Sequence, residues 1–360
     1  MIGLRGIPSR DGGVEVAVEE LAPRLAKLGI KMVVYCRTPY ISEFLQTYKG
    51  VELVNLPTIN NKHLEAFVHT FLSTLHALFI NRIDIIHYHA LGNALFSRFP
   101  SLFGKKSVVT IHGFDYQREK WSRFAKWVLK LGEVQAVNHA NSIISVSKKI
   151  KHEIKSNYKR EAIWIPNGIP SMPLGQTNDE IPYILFLSRL VPEKGAHTLI
   201  TAFKRVDFNG QLLIVGGGTH TDKYVESLNA LKKSDPRIKL LGPKYDQEKS
   251  DLLQNAVLFV LPSTIEGMPI VLLEAMSFGT PVLVSDIQEN LDVVQTVDYD
   301  IGYYFKSDDV ESLSSTLRKL LKDPTDMELV ARDAKNVANE LYNWDLIASQ
   351  TLEVYLRIIK

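Results

Sequence analysis

Two carboxylates, Glu266 and Glu274, stand in the otherwise apolar stretch IEGMPIVLLEAMSFGTPVLVSD. An unpaired buried carboxylate is costly, so each calls for a cation or a hydroxyl partner, and a sugar or a ribose offers hydroxyls. Taken alone, the pair reads as a capping Glu266 and a solvent-facing Glu274. Two cations lie upstream in FLSRLVPEKG (186–195), where Arg189 and Lys194 follow an apolar run. The rigid fork of Arg and the point charge of Lys together suit a diphosphate, whereas singly each is an ordinary surface residue. Two glycine-rich turns complete the set. GLRGIPSRDGGVEVAVEELA (3–22) opens a helix pattern just after Gly12 and Gly13, and IVGGGTH (214–220) carries Gly216. Such glycines let a backbone approach a phosphate or nucleotide closely, or simply make a tight turn. His87, His89 and His112 end apolar runs, without the spacing of a zinc site.

These residues need elements to position them. Short β-branched runs, KMVVYC (31–36), IDIIHYH (83–89), KSVVTIH (106–112) and SIISVS (142–147), alternate with helix patterns. One of these is VEVAVEELAPRLAKLG (14–29), with Gly29 as its C-cap. A Pro-, Gly- and Asn-rich connection follows at 163–182, and then a second series: YILFLSRL, QLLIVGGG, RIKLLG, AVLFVLP and PVLVSD. This alternation predicts parallel sheets covered by helices, in two doubly wound α/β domains facing across a cleft. Ligands in such sheets bind at the carboxyl ends of strands. The expected domains are 1–165 and 166–342, with a closing helix over 343–360 that crosses back to the first. Within the second domain, AVLFVLPS reads as a buried strand, TIEG as a loop, and MPIVLLEAMSFG as a helix with Pro269 in its first turn and Gly279 at its end.

At 360 residues the chain exceeds what one core usually organises. Its single cysteine, Cys36, excludes an internal disulfide and fits a reducing compartment. The start MIGLRGIPSRDGG has no apolar h-region, and no apolar run approaches membrane-spanning length. The expectation is a cytoplasmic protein. Net charge is +2, yet residues 1–173 hold 23 Lys/Arg and 13 Asp/Glu. A basic half suits an anionic partner, a lipid surface or a phosphorylated substrate, as well as uneven solvated charge. GFDYQREKWSRFAKWVLKLGE (113–133) and SKKIKHEIKSNYKR (147–160) carry this charge on amphipathic patterns that suit a membrane or acceptor face.

IPNGI, SRLVPEKG, VGGG and PSTIEGMPIVLLEAMSFGTPVLVSD, in order across 163–290, resemble the second domain of family-4 glycosyltransferases of the GT-B fold. RGIPSRDGGVEVAVEELAPRLAKLG and IHGFDYQREKWSRFAKWVLKLGE resemble a bacterial subgroup of cell-surface polysaccharide assembly that includes rhamnosyltransferase-like members. The chain departs from that subgroup in its short apolar start, MIGL, and in Val14 and Val16 after the Gly-Gly pair.

The resemblance implies a role for each matching position. Arg189 and Lys194 would bind the donor diphosphate and stabilise the leaving group. Glu274 would hold the ribose, and Glu266, with backbone from Gly267 through Met268 to Pro269, the transferred sugar. Gly216 would lie against the nucleotide, Gly12 and Gly13 would border the diphosphate, and His112 would sit beside the donor sugar near the reacting carbon. Glycosyl transfer builds negative charge on the departing diphosphate, which preorganised cations and helix N–H groups answer without a metal. The implied reaction takes a UDP-, dTDP- or GDP-linked sugar to a lipid-linked or other saccharide acceptor, with retained configuration and no cofactor, metal or nucleic acid. A nucleotide-sugar 2-epimerase and a non-catalytic partner of the same fold are the alternatives.

Overall fold

The computed structural model of the chain describes all residues except 9–11, 41–44, 62–63, 81, 119–120, 177–180, 219–221 and 297–298. It divides into two compact units, Met1–Pro170 with Tyr342–Lys360, and Ser171–Leu341.

In the N-terminal unit, β1 (Val33–Arg37) pairs in parallel with β3 (Val51–Leu56), and β2 (Thr47–Tyr48) closes that edge antiparallel to β3. A second sheet runs β4 (Ile85–His89), β5 (Lys106–Ile111), β6 (Ser142–Ser145), β7 (Ile163–Trp164), all parallel. The short start of the chain joins the two. Ile2 exchanges backbone hydrogen bonds with His87 and His89 on one side, while the Met1 and Arg5 carbonyls accept from Tyr35 and Arg37 on the other. MIGLR thus does the work of a central strand in very few residues. The helix Gly13–Lys27 buries Ala17, Val18, Leu21, Ala22 and Leu25, and stops where Gly29 takes φ 92°. Its apolar stripe packs on Val34, Cys36 and Val51, and the closing helix Trp344–Ile359 adds Trp344, Ile347 and Tyr355 to the same core. Trp344 lies so close over Gly168 that a Cβ there would overlap the indole.

The C-terminal unit is one six-stranded parallel sheet. Its strands are β8 (Tyr183–Leu187), β9 (Gln211–Val215), β10 (Ile238–Gly242), β11 (Leu258–Leu261), β12 (Val282–Ser285) and β13 (Tyr303–Phe305), in the order β10-β9-β8-β11-β12-β13. β8 and β11 are almost wholly buried, as expected of strands covered on both faces, which is why they read as unbroken apolar runs. The strand order reverses between β8 and β11. In open α/β sheets a ligand site forms at such a reversal, outside the carboxyl ends of the two strands.

Candidate functional site

The two loops that leave the reversal carry the residues singled out above. After β8 the chain runs Ser188-Arg189-Leu190 into a turn of 3-10 helix, Pro192–Lys194, and Gly195 at φ 70° starts the helix Ala196–Phe203. After β11 it runs through Ser263 and Thr264 to Glu266 and the helix Ile270–Phe278. Backbone contacts clamp the loops together. Thr264 N donates to Glu193 O at 2.9 Å, and a Cβ on Gly195 would overlap Pro262 O. The Ser285 hydroxyl donates to Ser263 O, and is itself held by Asn290 Nδ2 at 2.9 Å.

The clamp brings Lys194 Nζ onto Glu266 Oε1, and both side chains are buried. Glu266 is thus paired with a cation from the neighbouring loop and does not act as a free cap. Gly267, Met268 and Pro269 are buried behind it. Pro269 is the N-cap of the helix, one residue short of the first-turn position expected, and Gly279 ends it at φ 79°. Glu274, one turn in, points into the protein. Its side chain is 4% exposed, with Lys249 Nζ 2.6 Å from Oε2 and 2.7 Å from Oε1. Oε2 makes no hydrogen bond of good geometry among the described residues, leaving it capacity for a hydroxyl. The solvent-facing alternative for Glu274 is therefore excluded.

Lys249 was not legible in advance. It lies in the helix Asp246–Gln254, whose charged composition (DQEKSDLLQ) reads as an ordinary solvated face. Only the packing of that helix against Ile270–Phe278 turns the lysine inward. Arg189 is exposed, two residues beyond β8, and its neighbour Leu190 is tied to Gly217 O at 2.9 Å. Gly216 takes φ 149° with its Cα against Ser188 O, so a Cβ would overlap that oxygen. The glycine is required where two loops meet.

Gly12, Gly13 and His112 belong to the other unit. Gly12 (φ 102°) caps the helix Gly13–Lys27, and the Glu15 carboxylate folds back over it to accept from Arg5 N at 3.0 Å. One anionic group of the chain already sits at that helix mouth, where N–H groups favour negative charge. His112 directly follows β5, and its Nε2 hydrogen-bonds His89 Nδ1 at 3.1 Å. Burial lowers the His112 pKa to about 4, so its imidazole is neutral near pH 7.

No cluster of three or more His, Cys, Asp or Glu that could hold a metal occurs among the described residues. The chain has one Asp-x-Asp triplet, Asp298-Tyr299-Asp300, after the helix Gln288–Val294. Asp298 lies outside the described residues, and Asp300 is exposed with its backbone bridged to Gln295. Among the described residues no helix is long and apolar enough to cross a membrane.

Two units, each with a parallel sheet covered by helices, and a set of cations and carboxylates at the sheet reversal define a GT-B glycosyltransferase architecture. Comparison with known proteins agrees. Residues 11–171 match the model described as Glycosyltransferase Family 4, and residues 174–339 that described as Glycosyl transferases group 1. The chain belongs to the family-4 glycosyltransferases and is a transferase enzyme. It is 26% identical over 367 residues, covering 96% of this chain and 91% of the relative, to the N,N'-diacetylbacillosaminyl-diphospho-undecaprenol alpha-1,3-N-acetylgalactosaminyltransferase of Campylobacter jejuni. It is 29% identical over 289 residues, covering 73% of this chain and 71% of the relative, to the UDP-Gal:alpha-D-GlcNAc-diphosphoundecaprenol alpha-1,3-galactosyltransferase of Escherichia coli. Among solved structures, Anabaena HepE in complex with UDP-glucose superposes with a TM-score of 0.79 at 18% identity, covering 97% of both chains.

Proposed function

We propose that the protein moves a sugar from a nucleoside-diphosphate sugar, UDP-, dTDP- or GDP-linked, to a lipid-linked or other saccharide acceptor. The transfer proceeds without a metal, retains anomeric configuration, and serves surface polysaccharide synthesis. The single observation that carries this reading is the Lys194–Glu266 pair at the reversal of the β8–β13 sheet, with Lys249–Glu274 on the adjoining helix. Both carboxylates are compensated by a cation, so the loops fold without stranding charge and still present groups that a donor can recruit.

In this reading the diphosphate takes the place of Glu266 as counter-ion of Lys194, and Arg189 closes on it from solvent. Glu266, released, accepts from hydroxyls of the transferred sugar, backed by the Gly267–Pro269 backbone. Glu274 Oε2 accepts from the ribose while Lys249 keeps its other oxygen. Gly216 lies against the nucleotide, and Gly12 and Gly13 border the diphosphate. His112, neutral, sits beside the sugar near the reacting carbon. The bond from that carbon to the phosphate oxygen breaks and one to the acceptor oxygen forms, the acceptor's hydroxyl proton passing to the departing phosphate oxygen. Negative charge accumulates on the leaving diphosphate, where Arg189, Lys194 and helix N–H groups answer it. The donors and acceptors in the names of the relatives support this assignment.

Acceptors of that kind sit at a membrane surface. On the helix Arg123–His139, Phe124 (71% exposed) and Trp127 (58%) stack outward beside Arg123 and Lys126. Exposed aromatics flanked by cations suit the headgroup layer of an anionic bilayer. We therefore place the protein on the inner face of the cell membrane as a peripheral protein.

The test is transfer of label from a panel of nucleotide sugars to a polyprenyl-diphosphate-linked saccharide, with EDTA present. Product should form, and proton couplings at its new linkage should show the donor's configuration. Epimerised donor in the absence of acceptor, with no transfer in its presence, would overturn the reading.

A further inference from the structure

Three imidazoles lie face to face in the N-terminal unit, and the reading above employs one. His87 and His89 are alternate residues of β4 and so emerge on one face of it. Their ring centroids are 4.3 Å apart and their planes 25° from parallel. His112 extends the stack, 5.3 Å from His89 at 28°. His87 is pinned at both nitrogens, Nδ1 by the Tyr355 hydroxyl at 2.6 Å and Nε2 by Thr110 Oγ1 at 2.7 Å. His89 is held at its backbone instead. Its N–H donates to Ile2 O at 2.9 Å, its carbonyl accepts from Asn93 Nδ2 at 2.6 Å, and Ala90 next to it takes the left-handed φ of 68°.

Polar bookkeeping at His89 is incomplete. The residue is 1% exposed, its Nδ1 engages His112, and its Nε2 has no partner among the described residues. His89 lines a cavity of about 20 Å³ together with His87, Thr110, His112 and Trp344. Trp344 Nε1, a donor only, is likewise buried without a partner among the described residues. A cavity of this size holds one water, and two orphaned nitrogens are the kind of lining that retains it.

An N···N bond between imidazoles needs one donor and one acceptor, so the protons on His89 and His112 are not independent. Burial lowers the pKa of all three histidines, His112 to about 4, with neighbouring positive charge adding at His87 and His89. Each ring then carries a single hydrogen, and the variable is which nitrogen bears it. A water that accepts from Trp344 Nε1–H can donate to His89 Nε2. That puts the His89 hydrogen on Nδ1, donating to His112 Nε2, and leaves the His112 hydrogen on Nδ1.

We propose that His89 is a positioning residue for transfer, which fixes His112 in the Nδ1–H tautomer so that it offers a hydrogen-bond donor to the sugar substrate. This rests on the placement of His112 beside the sugar given above. The chain from Trp344 through water and His89 ties that donor to the closing helix, an element distant in sequence from both.

The test is long-range proton–nitrogen NMR of the full chain with 15N-labelled histidine, which reads the tautomer of His112 directly and needs no variant. The expected result is His112 protonated at Nδ1 in the wild type. In His89→Phe, which keeps a stacked ring, His112 should redistribute toward Nε2–H, with kcat falling between about tenfold and about a hundredfold and donor KM changing little. His89→Asn, which keeps a donor near the Nδ1 position, should restore part of kcat. His112 protonated at Nε2 in the wild type, or a tautomer unchanged in His89→Phe, would overturn the proposal. A tautomer that shifts while kcat holds overturns only the role of His112 in transfer.

Discussion

The Lys249–Glu274 pair makes an asymmetric prediction, because its two members differ in access to water. The Glu274 side chain is 4% exposed and that of Lys249 is 23%. Lys249→Met leaves a buried carboxylate with no cation, at a cost of about 3 kcal/mol. Glu274→Gln leaves an amide that still accepts a hydrogen bond, beside a lysine whose head can swing to solvent, at about 1 kcal/mol. Replacing both with methionine removes the buried charge altogether and should restore most of the loss. At about 2–4 °C per kcal/mol for a unit this size, the transition of Ser171–Leu341 should fall by about 6–12 °C in Lys249→Met. In Glu274→Gln the fall should be about 2–4 °C, and the double variant should lie near wild type. Scanning calorimetry of the full chain measures all four proteins of the cycle. Equal losses in the two single variants, or a double variant whose loss is their sum, would refute the argument that Lys249 compensates a buried carboxylate.

Other expectations follow from single contacts. Gly216→Ala should destabilise the C-terminal unit by several kcal/mol, since its φ of 149° and the Ser188 carbonyl both oppose a Cβ; urea unfolding measures the loss. His112 and His69 have folded pKa values lowered by burial to about 4, against an unfolded value of 6.5. The unfolded chain therefore binds more protons between those values. Stability should be full above pH 6.5 and decline as pH falls toward 4, which melting in a buffer series checks. Phe124→Ser with Trp127→Ser should reduce co-sedimentation with anionic vesicles about tenfold or more, without altering the melting temperature, because both rings are exposed.

Most strands of the three sheets were visible in the sequence, because runs such as those of β8 and β11 are buried on both faces and appear as short apolar stretches between helix patterns. Strands absent from that reading are Val51–Leu56, where Glu52 and Asn55 interrupt the apolar run of a half-buried strand, and the brief Thr47–Tyr48, Ile163–Trp164 and Tyr303–Phe305. Arg189, Lys194, Glu266 and Glu274 were conspicuous as charges beside apolar strands and helices. Pairing was another matter, because Lys194 meets Glu266 only when the strand order places β8 against β11. Lys249 sits in a helix with no distinguishing composition. The histidine stack was half legible: alternation in HYH puts His87 and His89 on one face, but nothing in the sequence places His112 or Tyr355 beside them.

The central claim is that the reversal in the C-terminal sheet binds a nucleoside diphosphate through Arg189 and Lys194. Calorimetric titration of UDP, dTDP and GDP against the full chain and against Arg189→Ala tests it most directly, because Arg189 is exposed, with the melting temperature of the variant measured alongside. The account predicts saturable binding of at least one of the three, weakened about tenfold to about a hundredfold by the loss of one charge-assisted hydrogen bond. Equal affinity in the two proteins, or no binding of any of the three, would contradict it.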